Sequence, residues 1–243
     1  MYNIAMLQNP FHKEILNIIE TEAGKNKRVS KQPEGYEGHS EKSHGLSNPQ
    51  LRKIVKEWLK TNTGMTFSEF KELINSLYTK AESSTEKYAA GFFLEYKPEF
   101  RRQLKPDILD VWLDFLSGWA LIDSLCQSKF TQEDMKTNWL EWRKILEKFC
   151  ASPNISKRRA SLVLLTKPTW KSTDKRFSDL AFKNIEKLKH EKDIFITKAI
   201  SWALRDMTKN HRMEVSDYLK ENKDTLPKIA VRETKRKLET GRK

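Results

Sequence analysis

Glycine is scarce in this 243-residue chain. There are eight in all, and only Gly91 and Gly118 fall between residues 65 and 240. That is well below the ~7% of average usage. With no alternating β-branched runs beside it, the scarcity argues against sandwiches, barrels and Rossmann units. Cysteine is scarcer still: Cys126 and Cys150 make no disulfide framework, and a reduced, cytoplasmic protein is expected. Long apolar runs are missing too. None approaches the ~20 residues that span a bilayer, so no integral membrane segment is expected. The start, MYNIAMLQNPFHKEIL, has no basic stretch ahead of its short apolar run and shows no secretory signal. There is no P-loop, no GxGxxG, no HExxH, no CxxC and no Gly-x-Ser-x-Gly elbow. His39 and His44 have no companion cysteines, so no metal site is expected.

What the chain does have is positive charge and aromatic rings. Lys and Arg outnumber Asp and Glu by 46 to 33, a formal charge of +13. Seven Trp and twelve Phe supply a core that a disordered chain would lack. The charge is uneven: residues 156–176 hold seven basic residues and one acidic, and residues 228–243 hold seven and two. A soluble basic protein most commonly meets nucleic acid; an anionic membrane surface or an acidic protein is the rival partner. Solvated helix faces are the plainer reading of the same residues.

Helical spacing runs throughout. Leu51, Ile54, Val55, Trp58 and Leu59 follow i, i+3, i+4, i+7, i+8, and Ile108, Leu109, Trp112, Leu113 and Leu116 repeat the same helical period. Asn48-Pro49 reads as an N-cap followed by a first-turn proline, and Thr66…Glu69 has capping-box spacing. An all-α chain of ten to thirteen helices is expected, as a single domain over 1–243. Residues 24–48 carry four of the glycines and almost no aliphatics, which predicts a long exposed loop after an N-terminal helix near 10–23. The last dozen residues are expected to fray, and 236–243 read as a basic C-terminal tail. Trp58, Trp112, Trp139 and Trp142 lie in apolar stripes and read as core.

Four segments resemble one another: KYAAGFFLEY (87–96), LIDSLCQSKF (121–130), KRRASLVLLT (157–166) and ITKAISWALR (196–205). Each places a small residue in its early half, at Ala89, Ser124, Ala160 and Ala199, with spacings of 35, 36 and 39 residues. This is the period of helix-pair solenoids, in which each unit buries its apolar face on its neighbours. The residues just before the small positions are Tyr88, Asp123, Arg159 and Lys198, which the register predicts to be equivalent along one concave face. Trp119 lies one turn before Asp123, and Lys198, Trp202 and Arg205 form one stripe.

Asp123, in the apolar setting GWALIDSLC, reads either as a structural acid paired across repeats or as a carboxylate held in a partly desolvated cleft. Trp119 and Trp202 read as core filling or, for Trp202 between two cations, as an indole that stacks on a base or meets a cation. Lys157, Arg158 and Arg159 read as an ordinary basic helix face or as phosphate ligands.

The series HGLSNPQLRKIVKEW, SGWALIDSL, SKRRASLVLL and ITKAISWALRDMTK resembles the DNA alkylation repair family of HEAT-like-repeat glycosylases, in matching order from about residue 44 to about 235. The resemblance implies a superhelical solenoid of HEAT-like helix pairs that cradles double-stranded DNA in a basic groove. It implies release of N3- and N7-alkylated purines by hydrolysis of the N-glycosidic bond, with no metal or organic cofactor. By motif, Asp123 matches the catalytic aspartate, Trp119 and Trp202 the tryptophans at the lesion nucleotide, and Arg159 the arginine of the same pocket. Lys157, Arg158, Lys198 and Arg205 are the expected DNA-binding cations, and a monomer is expected. The family's element often reads Trp-Trp-Asp-x-x-Asp, whereas here Gly118 and Ala120 flank Trp119. Two other readings stand beside the enzyme: a non-catalytic DNA-binding solenoid that recognises bent or branched DNA, and a protein scaffold with a basic surface.

Overall fold

A computed structural model describes residues 9–25, 37–127 and 129–242. Among these the only regular structure is helical, in fourteen helices. That is one more than the upper expectation, because short helices such as α5 (Pro98–Arg101) and α8 (Gln132–Thr137) have too few turns to show an apolar period. No helix among the described residues is long and apolar enough to cross a membrane. The helices gather into two compact units, Met1–Leu125 and Cys126–Lys243.

The first unit contains α1 (Pro10–Lys25), α2 (Asn48–Thr61), α3 (Phe67–Thr79), α4 (Ser84–Tyr96), α5, α6 (Ile108–Asp114) and nearly all of α7 (Gly118–Cys126). Helix α4 packs on α2 and α3, and α1 packs on both of these. The α2 start differs from expectation. Ser47, not Asn48, is the cap: its backbone N–H and hydroxyl both donate to the Gln50 side-chain oxygen, at 2.9 and 2.6 Å. At α3 the expected capping box is present, with Thr66 N–H donating to Glu69 at 2.8 Å and Glu69 N–H to the Thr66 hydroxyl at 3.3 Å. Trp58 and Trp112 are buried as expected. A polar chain also crosses this core. His12 lies 2.8 Å from both the Ser76 hydroxyl and Glu86, and Ser83 donates to the other Glu86 oxygen.

In the second unit α9 (Trp139–Cys150), α10 (Ile155–Lys171), α11 (Lys175–Leu188), α12 (Ile194–Met207), α13 (Arg212–Asn222) and α14 (Lys228–Thr240) follow α8. The middle of helix α10, Arg159–Thr166, is buried on every side, as the run Ala160–Leu165 requires. It packs on α9, α11 and α12, and α12 packs in turn on α14. Ala160 and Ala199 have no exposed surface; these are two of the four small positions of the repeat register, and they sit on neighbouring packed helices. Helices α10 and α12 run in the same direction. Near their starts Arg159 Nη1 donates to the Phe195 carbonyl, and near their ends the Asn210 amide donates to the Trp170 carbonyl.

Trp142 is core, but Trp139 is half-buried, edge-on to Phe177 and with Arg176 over its other side. Helix α14 continues to Thr240, capped by Gly241 at φ 69°, so it absorbs most of the expected fraying tail. Helix α1 matches the expected N-terminal helix; of the long loop 24–48, residues 26–36 lie outside the described residues. Residues 37–47 form non-helical chain that packs back on α4 and α7.

Candidate functional site

In the first unit, α7 presents Trp119 and Asp123 one turn apart. Trp119 is half-buried and Asp123 is 9% exposed. The other eight residues of α7 are uncharged, so Asp123 brings its charge into an apolar helix.

The approach to that helix is built by a strap, residues 37–47. Gly118 adopts φ +74°, and a Cβ there would lie 2.5 Å from the Gly38 carbonyl carbon and 2.6 Å from the Glu37 carbonyl oxygen. Only glycine fits, both for the left-handed backbone and for the close strap. The Glu37 carbonyl accepts the Ala120 N–H at 3.4 Å, satisfying an amide that the helix start would leave unpaired. The Glu37 carboxylate accepts the Tyr88 hydroxyl at 2.7 Å and lies 3.1 Å from His39 Nε2. His39 Nδ1 accepts the Glu41 N–H, so Nε2 is the donor toward Glu37. Glu41 pairs with Lys87 at 2.7 Å, and Lys87 also donates to the Phe115 carbonyl. Further along, the Lys42 carbonyl accepts the Ser84 N–H at 2.8 Å, and the His44 N–H donates to Thr85.

Tyr88, the first residue of the repeat register, therefore faces the strap. Burial pushes its hydroxyl well above the ordinary phenol range. The hydrogen bond to Glu37 and the negative charges of Glu37, Glu41 and Asp123 push it further. Tyr88 stays a neutral donor, in a negative field that includes the Asp123 charge.

In the second unit the cations take different positions. Arg159 is 5% exposed and its Nη1 is committed to the Phe195 carbonyl, so it pins the first turn of α12 to α10. Arg158 is bidentate to Glu191 (2.8 and 3.1 Å), and its remaining Nη1 donates to the Ser152 and Pro153 carbonyls. Lys157 is half-buried, and Lys198 is fully at the surface. Trp202 is half-buried, its ring oriented by an Nε1–H bond to Asp206 at 2.8 Å. Arg205, one turn on, donates to the Ser201 carbonyl and faces Glu233 of α14 at 3.5 Å. The Lys198–Trp202–Arg205 stripe thus has one cation at the surface and one held against α14.

Sequence reasoning missed the strap and the acids that hold the cations. One signal was available: Gly118 stands alone before a helix in a chain nearly devoid of glycine. Another was Asp206, four residues after Trp202 and so on its helix face. Glu37, Glu191 and Glu233 carry no local signal, because tertiary packing brings them in. Among the described residues no group of three His, Cys, Asp or Glu side chains is placed to hold a metal.

The model of one family, described as DNA alkylation repair enzyme, matches residues 18–238 of this chain. The chain belongs to the DNA alkylation repair enzyme family. The match takes in both units and every residue named above as a site candidate. Among solved structures, one described as a predicted DNA alkylation repair enzyme from Enterococcus faecalis is similar in fold. It has a TM-score of 0.67 and 18% identity, with 98% of this chain and 100% of that one covered. No curated protein matches.

Proposed function

We propose that this protein is a DNA glycosylase that hydrolyses the N-glycosidic bond of positively charged N3- or N7-alkylated purines in duplex DNA. The observation that carries the reading is Asp123, a nearly buried carboxylate on an otherwise uncharged helix, one turn from a half-buried indole, in a family of alkylation repair enzymes.

Alkylation at N7 or N3 makes the purine cationic. When the bond between C1′ and nitrogen breaks, its electron pair cancels that charge and the base leaves neutral, with no need of an acid. The task left to the protein is to stabilise positive charge on the deoxyribose and to bring water to C1′. One carboxylate serves both ends, so the paired acids of most glycoside hydrolases are not required. The Trp119 and Trp202 rings favour a cationic nucleotide over a neutral one by ~0.5–2 kcal/mol per contact. Arg159 holds the start of the helix that carries Trp202, and Lys198 with Lys157 offers charge to the DNA backbone.

The test is release of methylated purines from alkylated duplex DNA by the purified full-length chain. Asp123→Asn should slow single-turnover excision by roughly 100-fold or more, about 3 kcal/mol of transition-state stabilisation. Binding to the same DNA should persist. Absence of base release by folded protein would remove the glycosylase reading. An Asp123→Asn protein that melts earlier yet excises at the full rate would make Asp123 structural.

A further inference from the structure

One part of the basic run 156–176 is not used by the candidate site: its end, around Trp170. There the Lys209 ammonium lies 3.6 Å from the indole centroid, Lys171 at 4.5 Å and Lys167 at 5.1 Å. Lys171 and Lys209 are exposed, and Lys167 and Trp170 half-exposed. Among the described residues none of the three lysines has a carboxylate partner; their ammonium groups meet the ring alone. This contrasts with Arg158, Arg205 and Lys87, each held by a glutamate. An indole face attracts an ammonium, but three ammoniums around one ring repel one another, and an anion among them would relieve that repulsion.

The cluster is also held in place. Pro168 removes one backbone donor from the last turns of α10. The carbonyls that the end of α10 leaves without helical partners are held by the following turn: the Asn210 amide donates to the Thr169 and Trp170 carbonyls at 3.3 and 2.7 Å, and His211 Nε2 lies 3.0 Å from the Ser172 carbonyl. The backbone that carries Lys209, next to Asn210 in the chain, is therefore held beside Trp170.

We propose that Lys167, Lys171 and Lys209, gathered by Trp170, form a clamp for the phosphodiester backbone of DNA, separate from the reacting nucleotide. Arg159 and Trp170 are eleven residues apart on α10, about 16 Å at ~1.5 Å per residue. That is roughly five base-pair steps at ~3.4 Å each, so one duplex reaches both ends of α10. The inference rests on DNA as the partner, and not on cleavage of the glycosidic bond.

The experiment measures binding of unmodified duplex DNA by the full-length chain over a range of salt concentrations. The variant carries Lys167→Gln, Lys171→Gln and Lys209→Gln together. Affinity should fall tenfold or more, and the slope of log affinity against log salt should become shallower by about 2 to 3. A second variant with arginine at all three positions keeps the charge and should keep the slope. Single-turnover excision at saturating alkylated DNA should match the parent in both. A folded glutamine variant with an unchanged slope overturns the clamp. So does a variant that keeps its DNA slope while losing binding to anionic phospholipid vesicles, which would assign the patch to a membrane surface. Failure of the glycosylase reading would appear instead as no excision by any form, with the binding difference intact.

Discussion

The two units differ in charge more than in architecture. Up to Leu125 the chain carries 17 basic and 17 acidic residues; from Cys126 onward it carries 29 and 16. The whole formal charge of +13 therefore belongs to the second unit. In the first unit several charged and polar side chains pair within the unit. His12 meets Glu86, Arg52 meets Glu95, Lys87 meets Glu41, and Tyr88 donates to Glu37. The second unit contains cations that no carboxylate holds, Lys198 and the three lysines around Trp170 among them. Net charge alone would have suggested one uniformly basic protein. The division instead separates a unit that keeps an acid nearly out of water from a unit with spare positive charge for a polyanion.

The strongest way to break this comparison is at Gly118. A valine there must leave the left-handed region and push back Glu37 and Gly38. The expected loss is a few kcal/mol, about 10 °C or more in melting temperature. Excision should fall with it, while the salt slope of DNA binding, which the proposal assigns to the second unit, should stay. A change in that slope would mean that the strap serves binding as well.

Glu86 tests the self-neutralised core next. Burial alone would raise its carboxyl; the hydrogen bonds from His12 and Ser83 outweigh burial and hold it below the ordinary range. A carboxyl depressed by folding adds stability that is fully present above its unfolded pKa, ~4.3. That stability disappears as pH falls through the lower folded value. Glu86→Gln should therefore cost ~2–3 kcal/mol at pH 7. The gap between parent and variant should be constant near neutral pH and begin to narrow as pH falls below ~4.3, and a gap that does not change with pH would contradict the assignment.

The smallest effect concerns the second unit. Glu191→Gln releases Arg158 from its bidentate partner. DNA affinity at low salt should rise two- to threefold, with a salt slope steeper by up to ~1. The accompanying loss of stability should stay near ~1 kcal/mol or less, as for other partly exposed ion pairs. An unchanged slope would show that Arg158 faces away from DNA.

Much of the fold was legible because helices announce themselves locally. The apolar period, the Thr66…Glu69 box and the small residues Ala160 and Ala199 all describe contacts within a few turns or a repeating one. The α2 cap was misread by one residue, since Ser47 and Asn48 are both good caps and only geometry chooses. The short helices α5 and α8 and the full reach of α14 were missed for lack of a repeating apolar face. At the candidate site the sequence indicated which residues to watch but not what each touches. Arg158, Arg159 and Arg205 look alike in a string of letters. Their differing roles come from Glu191, the Phe195 carbonyl and Glu233, each about thirty or more positions away.

The strap has a further consequence, for the order in which the molecule forms. Helices α3 and α4, neighbours in the chain, pack on each other, whereas the Glu37 carbonyl meets the Ala120 N–H only after most of that unit has been synthesised. Contacts so distant in sequence carry a large loop-closure entropy and are made late. The start of α7, the turn that carries Trp119 and leads to Asp123, is then among the last parts of the unit to be completed. It should also be among the first to open, which hydrogen exchange at the Ala120 amide would register before exchange in α3 or α4.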